Sequence, residues 1–93
     1  MVTAILLMNV ERGQVNEVAE KLADIPGITE VYSVAGRFDL VGMIRVRETE
    51  EMAELVTRQL AQVEGILATE TLTAFRTYSR HDLEAAFSLG FKS

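Results

Sequence analysis

Cysteine and tryptophan are absent from this 93-residue chain, and there is one histidine and one proline. Without a thiol there is no disulfide, no thiolate nucleophile and no thiolate metal site, a pattern that fits a reducing compartment, so the cytoplasm is the expected location. His81, the only imidazole, stands beside the start of a short terminal helix, where it is solvated or caps. No Ser/His/Asp or Cys/His triad can be drawn, a His-rich metal site has too few ligands, and neither metal nor cofactor is expected. Basic charge is also scarce. Nine Lys and Arg stand against fourteen Asp and Glu, giving a net charge of −5. Such a balance opposes contact with a phosphate backbone, so direct nucleic-acid binding is not expected. Long apolar runs are missing too. Ile5-Leu6-Leu7-Met8 has no basic segment ahead of it and is followed by Asn9 and Glu11, so it reads as neither signal peptide nor membrane span. No GxGxxG or Walker spacing occurs.

What remains is an ordinary globular composition, 48% hydrophobic and 25% charged, of a length that supports one compact domain. Residues 2 to 10 form an apolar run of strand length, as does Leu40-Val41-Gly42-Met43-Ile44-Arg45-Val46. Neither alternates cleanly, which predicts strands buried on both faces. Between the first run and the next strand, Val15, Val18, Ala19, Leu22 and Ile25 recur at three- and four-residue intervals. This is an amphipathic helix ending before Pro26-Gly27. After the second run Thr49 can cap a helix with Glu50 and Glu51 in its first turn and Met52, Leu55, Val56, Leu60 and Val63 as its apolar stripe.

The segment Ala23-Asp24-Ile25-Pro26-Gly27-Ile28 is echoed by Ala61-Gln62-Val63-Glu64-Gly65-Ile66, each closing a helix and opening a strand. An internal duplication of a strand-helix-strand unit follows, joined at Gly36-Arg37-Phe38-Asp39. The expected fold is α+β and ferredoxin-like, βαββαβ, with a four-stranded antiparallel sheet and two helices on one face. Residues 1–78 form this domain and residues 79–93 a helical extension, in which Asp82 caps a short helix docked through Phe87 and Phe91. The first and third strands are central in this plan. Because the helices cover one face only, a second copy of the sheet is expected on the other, as a homodimer or larger ring.

The carboxylates Glu50 and Glu51, and Glu11 and Glu17, fall on helix ends and outer faces, where they are solvated and unsuited to general acid/base work. Two segments hold more specific chemistry. In Tyr32 to Asp39, Gly36 permits a tight turn with exposed amides for a carboxylate, and Asp39 offers a carboxylate to an amino group, a bond worth on the order of 1.5–3 kcal/mol. The same residues also suit a turn with no ligand. In Gly65 to Thr73, the alternate residues Thr69, Thr71 and Thr73 share one strand face, fit for a small polar pocket or for a wet strand surface.

At these two segments the chain resembles the effector-binding (RAM) domain of the leucine-responsive/AsnC transcription regulators. The resemblance rests on Val31-x-x-Val34-x-Gly36-x-x-Asp39 before an apolar strand, on Gly65-Ile66-x-x-Thr69-x-Thr71, and on Ile25-Pro26-Gly27-Ile28; it spans residues 2 to about 76. It implies sheet-to-sheet dimers assembled into rings of four or five dimers, octamers or decamers, with amino-acid effectors held between dimers. It places the ligand-binding residues at Gly36, Arg37 and Asp39, completed by Thr69, Thr71 and Thr73 of an adjacent subunit. Members of that family have a helix-turn-helix ahead of this domain, whereas residue 1 here already begins the first strand. The expectation is therefore a regulatory module that binds a free amino acid or related metabolite and acts through self-association or co-assembly with full-length regulators. Two other readings stand beside it: a small dimeric ferredoxin-like enzyme of the cofactor-free monooxygenase type, and a structural assembly partner with no ligand.

Overall fold

In the computed structural model, residues 1–78 and 80 are the described residues. The terminal helix expected over residues 82–91, with His81 beside it, lies outside them. The chain runs β1 (Val2–Val10), α1 (Val15–Ala23), β2 (Ile28–Ser33), β3 (Leu40–Val46), α2 (Thr49–Glu54), a π-helical turn (Leu55–Gln59), a 3₁₀ turn (Leu60–Gln62) and β4 (Ile66–Ala74). The strands form one antiparallel sheet in the order β2-β3-β1-β4. This is the ferredoxin-like arrangement expected from the duplication, with β1 and β3 at the centre. No helix among the described residues is long and apolar enough to cross a membrane.

Burial separates the two faces of the sheet. Ala4, Leu6, Met8 and Val10 of β1 and Leu40, Gly42, Ile44 and Val46 of β3 are buried, and they alternate with Thr3, Ile5, Leu7, Asn9, Val41 and Met43, which are half-buried. The buried set forms one core with Val18 and Leu22 of α1, Met52 of α2, and Leu55 and Leu60 beyond it. The central strands are thus apolar on both faces, as their sequences indicate, but within one chain the helices shield only one of them. On the other face Leu72 is 45% exposed and Tyr32 47% exposed.

The first helix is framed by simple chemistry. Glu17 lies in its first turn and Lys21 in its last, each suited to the adjacent end of the helix dipole. Pro26 disfavours helical geometry at Ile25, so the helix stops at Ala23, and Ile25 packs on the core from outside it. The second helix departs from expectation in two ways. Its cap is the extended Glu48, with φ −132° and ψ 157°, so Thr49 is the first helical residue and not the cap. It is also not one regular helix: the Leu60 N–H donates to the Leu55 carbonyl, five residues back. The widened turn brings Leu55 and Leu60, both buried, toward the same side. The Thr57 hydroxyl donates to the Ala53 carbonyl at 2.6 Å within this irregular stretch.

Each half of the duplication is locked by a glycine lying against the other half. Gly27 has φ +103°, and a Cβ there would stand 2.9 Å from Leu55 Cδ1 and 2.9 Å from Val46 Cγ1; Gly65 has φ +99°, and a Cβ there would stand 2.9 Å from Val18 Cγ2. Backbone conformation and space therefore both require glycine at the two equivalent positions. Gly42 differs, since a Cβ there would meet only ordinary contacts, the nearest being Met8 Cε at 3.7 Å. We expect Gly27→Ala and Gly65→Ala each to lower the unfolding free energy by about 2–4 kcal/mol, from left-handed backbone strain plus overpacking. Gly42→Ala should change it by less than about 1 kcal/mol. Urea denaturation followed by circular dichroism checks all three.

Candidate functional site

The connection between β2 and β3 is built around Asp39. The Val34 N–H donates to the Asp39 carbonyl at 3.1 Å and closes the loop, while the Asp39 N–H donates to the Met8 carbonyl at 2.9 Å. The Asp39 side chain then extends the ladder where β3 has not yet begun: its Oδ2 accepts the Val10 N–H at 2.9 Å. The carboxylate therefore stands in for a missing strand carbonyl and ties the loop to the central strand. At the tip, Gly36 has φ +141° and would place a Cβ in open space, so its backbone is exposed without steric cover. The exposed Arg37 has its guanidinium carbon 5.9 Å from the Phe38 ring centroid, within the range of a cation–π contact.

The threonines lie across the sheet. Thr69, Thr71 and Thr73 pair with Met8, Leu6 and Ala4, so all three share the helix-side face of β4. Thr69 and Thr73 are exposed and Thr71 is half-buried, because the helices leave this edge of the face uncovered. Thr69 is level with Leu40, but β1 lies between them, a separation of roughly 10 Å at about 4.8 Å per strand. Thr73 is four residues farther along, about 13 Å more. Gly36, Arg37 and Asp39 are thus one group and the three threonines another, and a single chain does not bring them together.

Two features of this region escape a reading of residue types. Asp39 offers its carboxylate to its own backbone, a role that depends on register and leaves no mark in the sequence. Asn9, between the two β1 residues that bind Asp39, has its Oδ1 buried without a hydrogen-bond partner among the described residues. A polar residue inside the run Ile5 to Val10 is the signal that could have drawn attention to it, since an unpaired buried acceptor costs about 1–3 kcal/mol. Beside the loop, the Tyr32 hydroxyl donates to Glu30 Oε2 at 2.7 Å. That hydrogen bond, reinforced by slight desolvation and the Glu30 charge, raises the phenol pKa above its ordinary value and keeps Tyr32 protonated.

The sheet order, the single helix layer and the anchored β2-β3 loop define a ferredoxin-like domain in which the described residues leave one sheet face and the loop uncovered. Residues 3–83 match the Lrp/AsnC ligand binding domain, and the chain belongs to this family. It is 32% identical over 77 residues to the HTH-type transcriptional regulator FL11 of Pyrococcus furiosus, covering 83% of this chain and 50% of that one. The chain spans about half the length, 41–50%, of the curated relatives it matches. Among solved structures it is similar to TTHA0845 from Thermus thermophilus, with 41% identity, a TM-score of 0.79, and coverage of 86% of this chain and 100% of that one. It shares its fold with the transcriptional regulator NMB0573 of Neisseria meningitidis, solved as an L-Met complex, at 11% identity and a TM-score of 0.74 over 85% of this chain and 53% of that one.

The structural role of Asp39 has a measurable consequence without any ligand. Asp39→Ala should cost about 1.5–3 kcal/mol of stability, the range for a hydrogen bond to a charged group. Asp39→Asn, which keeps an oxygen for the Val10 N–H, should cost less. Thr73→Val at the exposed far end should stay within about 0.5 kcal/mol. Equilibrium unfolding in urea ranks the three.

Proposed function

We propose that this chain is an amino-acid-binding regulatory module that takes its ligand at the β2-β3 loop and acts through assembly with other chains. The observation that carries this reading is the loop itself, with an exposed backbone at Gly36 and a charged pair, Arg37 and Asp39, held at the end of the central strand. A free amino acid, or a metabolite with the same two charges, matches that set: amides and guanidinium for its carboxylate, the remaining valences of the Asp39 carboxylate for its ammonium. The L-Met complex of the meningococcal relative supports this ligand class. Thr69, Thr71 and Thr73 join the site from an adjacent subunit, since within one chain they lie across β1. The apolar face of Ile5, Leu7, Val41 and Met43 is where a second copy packs, giving a dimer that builds a ring or joins full-length regulators of the family. Its part in transcription is then regulatory and non-enzymatic.

One observation favours the reading in which the chain is an assembly partner without a ligand: Oδ2 of Asp39 is already taken by the Val10 N–H. Calorimetry across the free L-amino acids separates the two. At least one should bind, and its affinity should fall about ten-fold or more in Arg37→Ala and Asp39→Asn, the loss expected for one charge-assisted hydrogen bond. Silence across the panel would leave assembly alone.

Assembly has its own test. The protein should sediment as a dimer or larger ring, and Leu7→Glu on the uncovered face should yield a folded monomer. A wild-type monomer at micromolar concentration would remove the sheet-to-sheet contact.

A further inference from the structure

The sheet face opposite the helices carries opposite charges at its two ends, and the register fixes where they stand. Arg45 lies between Ile44 and Val46, both buried beneath the helices, so its side chain rises from the uncovered face. Arg45 pairs with Thr3, and Thr3 with Ala74, so this row closes one end of the face. Thr3, Arg45 and Arg76 line one concavity of about 240 Å³ there. Asp39 stands at the other end, six residues away along the same strand line, on the order of 20 Å. Its N–H bond to Met8 and its carboxylate bond to Val10 hold it beside Asn9. Ile5, Leu7, Val41 and Met43 fill the space between the ends.

Neither end is neutralised within the chain. Among the described residues the one ion pair joins Arg58 to Glu54, on the helix layer, and neither Arg45 nor Asp39 has an ionic partner. Arg37, the cation nearest Asp39 in sequence, lies against the Phe38 ring instead. The other carboxylates of the face, on Glu30 and Glu70, are exposed on its two outer strands, where water screens them.

A second copy of the sheet can be laid on this face by a two-fold axis in two ways. With the axis along the strands, like ends coincide, and both Arg45 side chains share one end while both Asp39 side chains share the other. With the axis across the strands, the ends exchange. The paired residues Gly42 and Leu6 mark the level of that axis, because Gly42 is midway between Arg45 and Asp39 and Leu6 midway between Thr3 and Asn9. Val41 then falls over Met43 and Ile5 over Leu7, so the centre stays apolar, and each Arg45 comes to the Asp39 end of the other copy, twice by symmetry. Aligned sheets cross at roughly 30°, which shifts the ends sideways by about 5 Å, a displacement the flexible arginine stem can follow.

We propose that the uncovered face is an antiparallel self-association surface, on which a second copy packs with its strands reversed and an Arg45–Asp39 ion pair latches each end. This rests on the sheet-to-sheet contact already proposed and adds its direction and the residues that select it. Complementary charge sets the orientation, and the apolar centre supplies the bulk of the burial. A carboxylate has about four acceptor sites, so Asp39 serves the Val10 N–H and Arg45 of the other copy and still has room for the ammonium of a loop ligand.

Two measurements on the full chain test the orientation. Because the chain has no cysteine, Arg47→Cys, at an exposed position just past β3, places a single nitroxide label. That position is five residues from the axis level, so two labels are about 35 Å apart in the antiparallel dimer and under about 20 Å apart in the parallel one. Double electron–electron resonance, at concentrations where sedimentation shows the dimer, should read the longer distance; the shorter would overturn the proposal. Sedimentation over a concentration series also gives the dimer Kd. Arg45→Gln should raise it about ten-fold, since two equivalent pairs are lost together, and that ratio should shrink in high salt. Adding Asp39→Asn should then change it little, because the pair is already broken. An unaltered Kd in Arg45→Gln, or a further ten-fold loss in the double variant, would overturn the ion pair while leaving the sheet contact in place. A wild-type monomer would remove the contact itself and this orientation with it.

Discussion

Two helices cannot cover both faces of a four-stranded sheet, and most of this molecule's organisation follows from that shortage. Ala4, Leu6, Met8 and Val10 of β1 and the even-numbered residues of β3 are buried against the helix layer, while Ile5, Leu7, Val41 and Met43 are equally apolar and only half-buried. An apolar face on the central strands has a favourable free energy of burial that the described residues leave partly unrealised. Among the described residues nothing covers this face, and a face of this shape is well matched by another sheet. Regulation through assembly is therefore a physically natural use of the fold: whatever alters contacts between copies alters the state of the whole.

The helix layer is held in place by the duplication in a reciprocal way. Gly27, at the start of the second strand of the first half, lies beneath Leu55 of the second half; Gly65, its equivalent, lies beneath Val18 of the first. Each helix can settle onto the sheet only because the opposite half offers a residue without a side chain. The two halves are nevertheless not equal. The first helix is regular, and the second is widened at Leu55, where two buried leucines five residues apart must both reach the core.

The sequence was legible wherever a single physical demand repeated itself. Apolar spacing marked both helices, the Gly27 and Gly65 echoes marked the duplication, and apolar content on both faces of β1 and β3 marked the central strands and the uncovered face. The shared face of Thr69, Thr71 and Thr73 also followed from alternation alone, and the register confirms it. What could not be read depended on partners brought together by folding. The π-helical turn arises from the distance between Leu55 and Leu60 in a finished core. The cap one residue earlier, at Glu48, reflects the extended exit from β3. Asp39 was recognisable as a carboxylate in a loop, but its bond to the Val10 N–H depends on where β1 ends relative to β3.

That bond bears directly on how a ligand could communicate with assembly. Asp39 joins the loop to the same strand whose odd-numbered residues form the apolar face, so the loop and the face share one rigid element, β1. A ligand drawn to Arg37 and Asp39 from one chain and to Thr69 from another would bind the assembled state more strongly than the separated one. By linkage it would then favour assembly by the same free energy that assembly lends to its binding. A ligand held within one chain has no such obligation to favour either state. It would influence assembly only through a difference in fit between free and associated chains. Coupling to oligomeric state is thus the property that distinguishes an intersubunit loop site from a cleft built within one subunit.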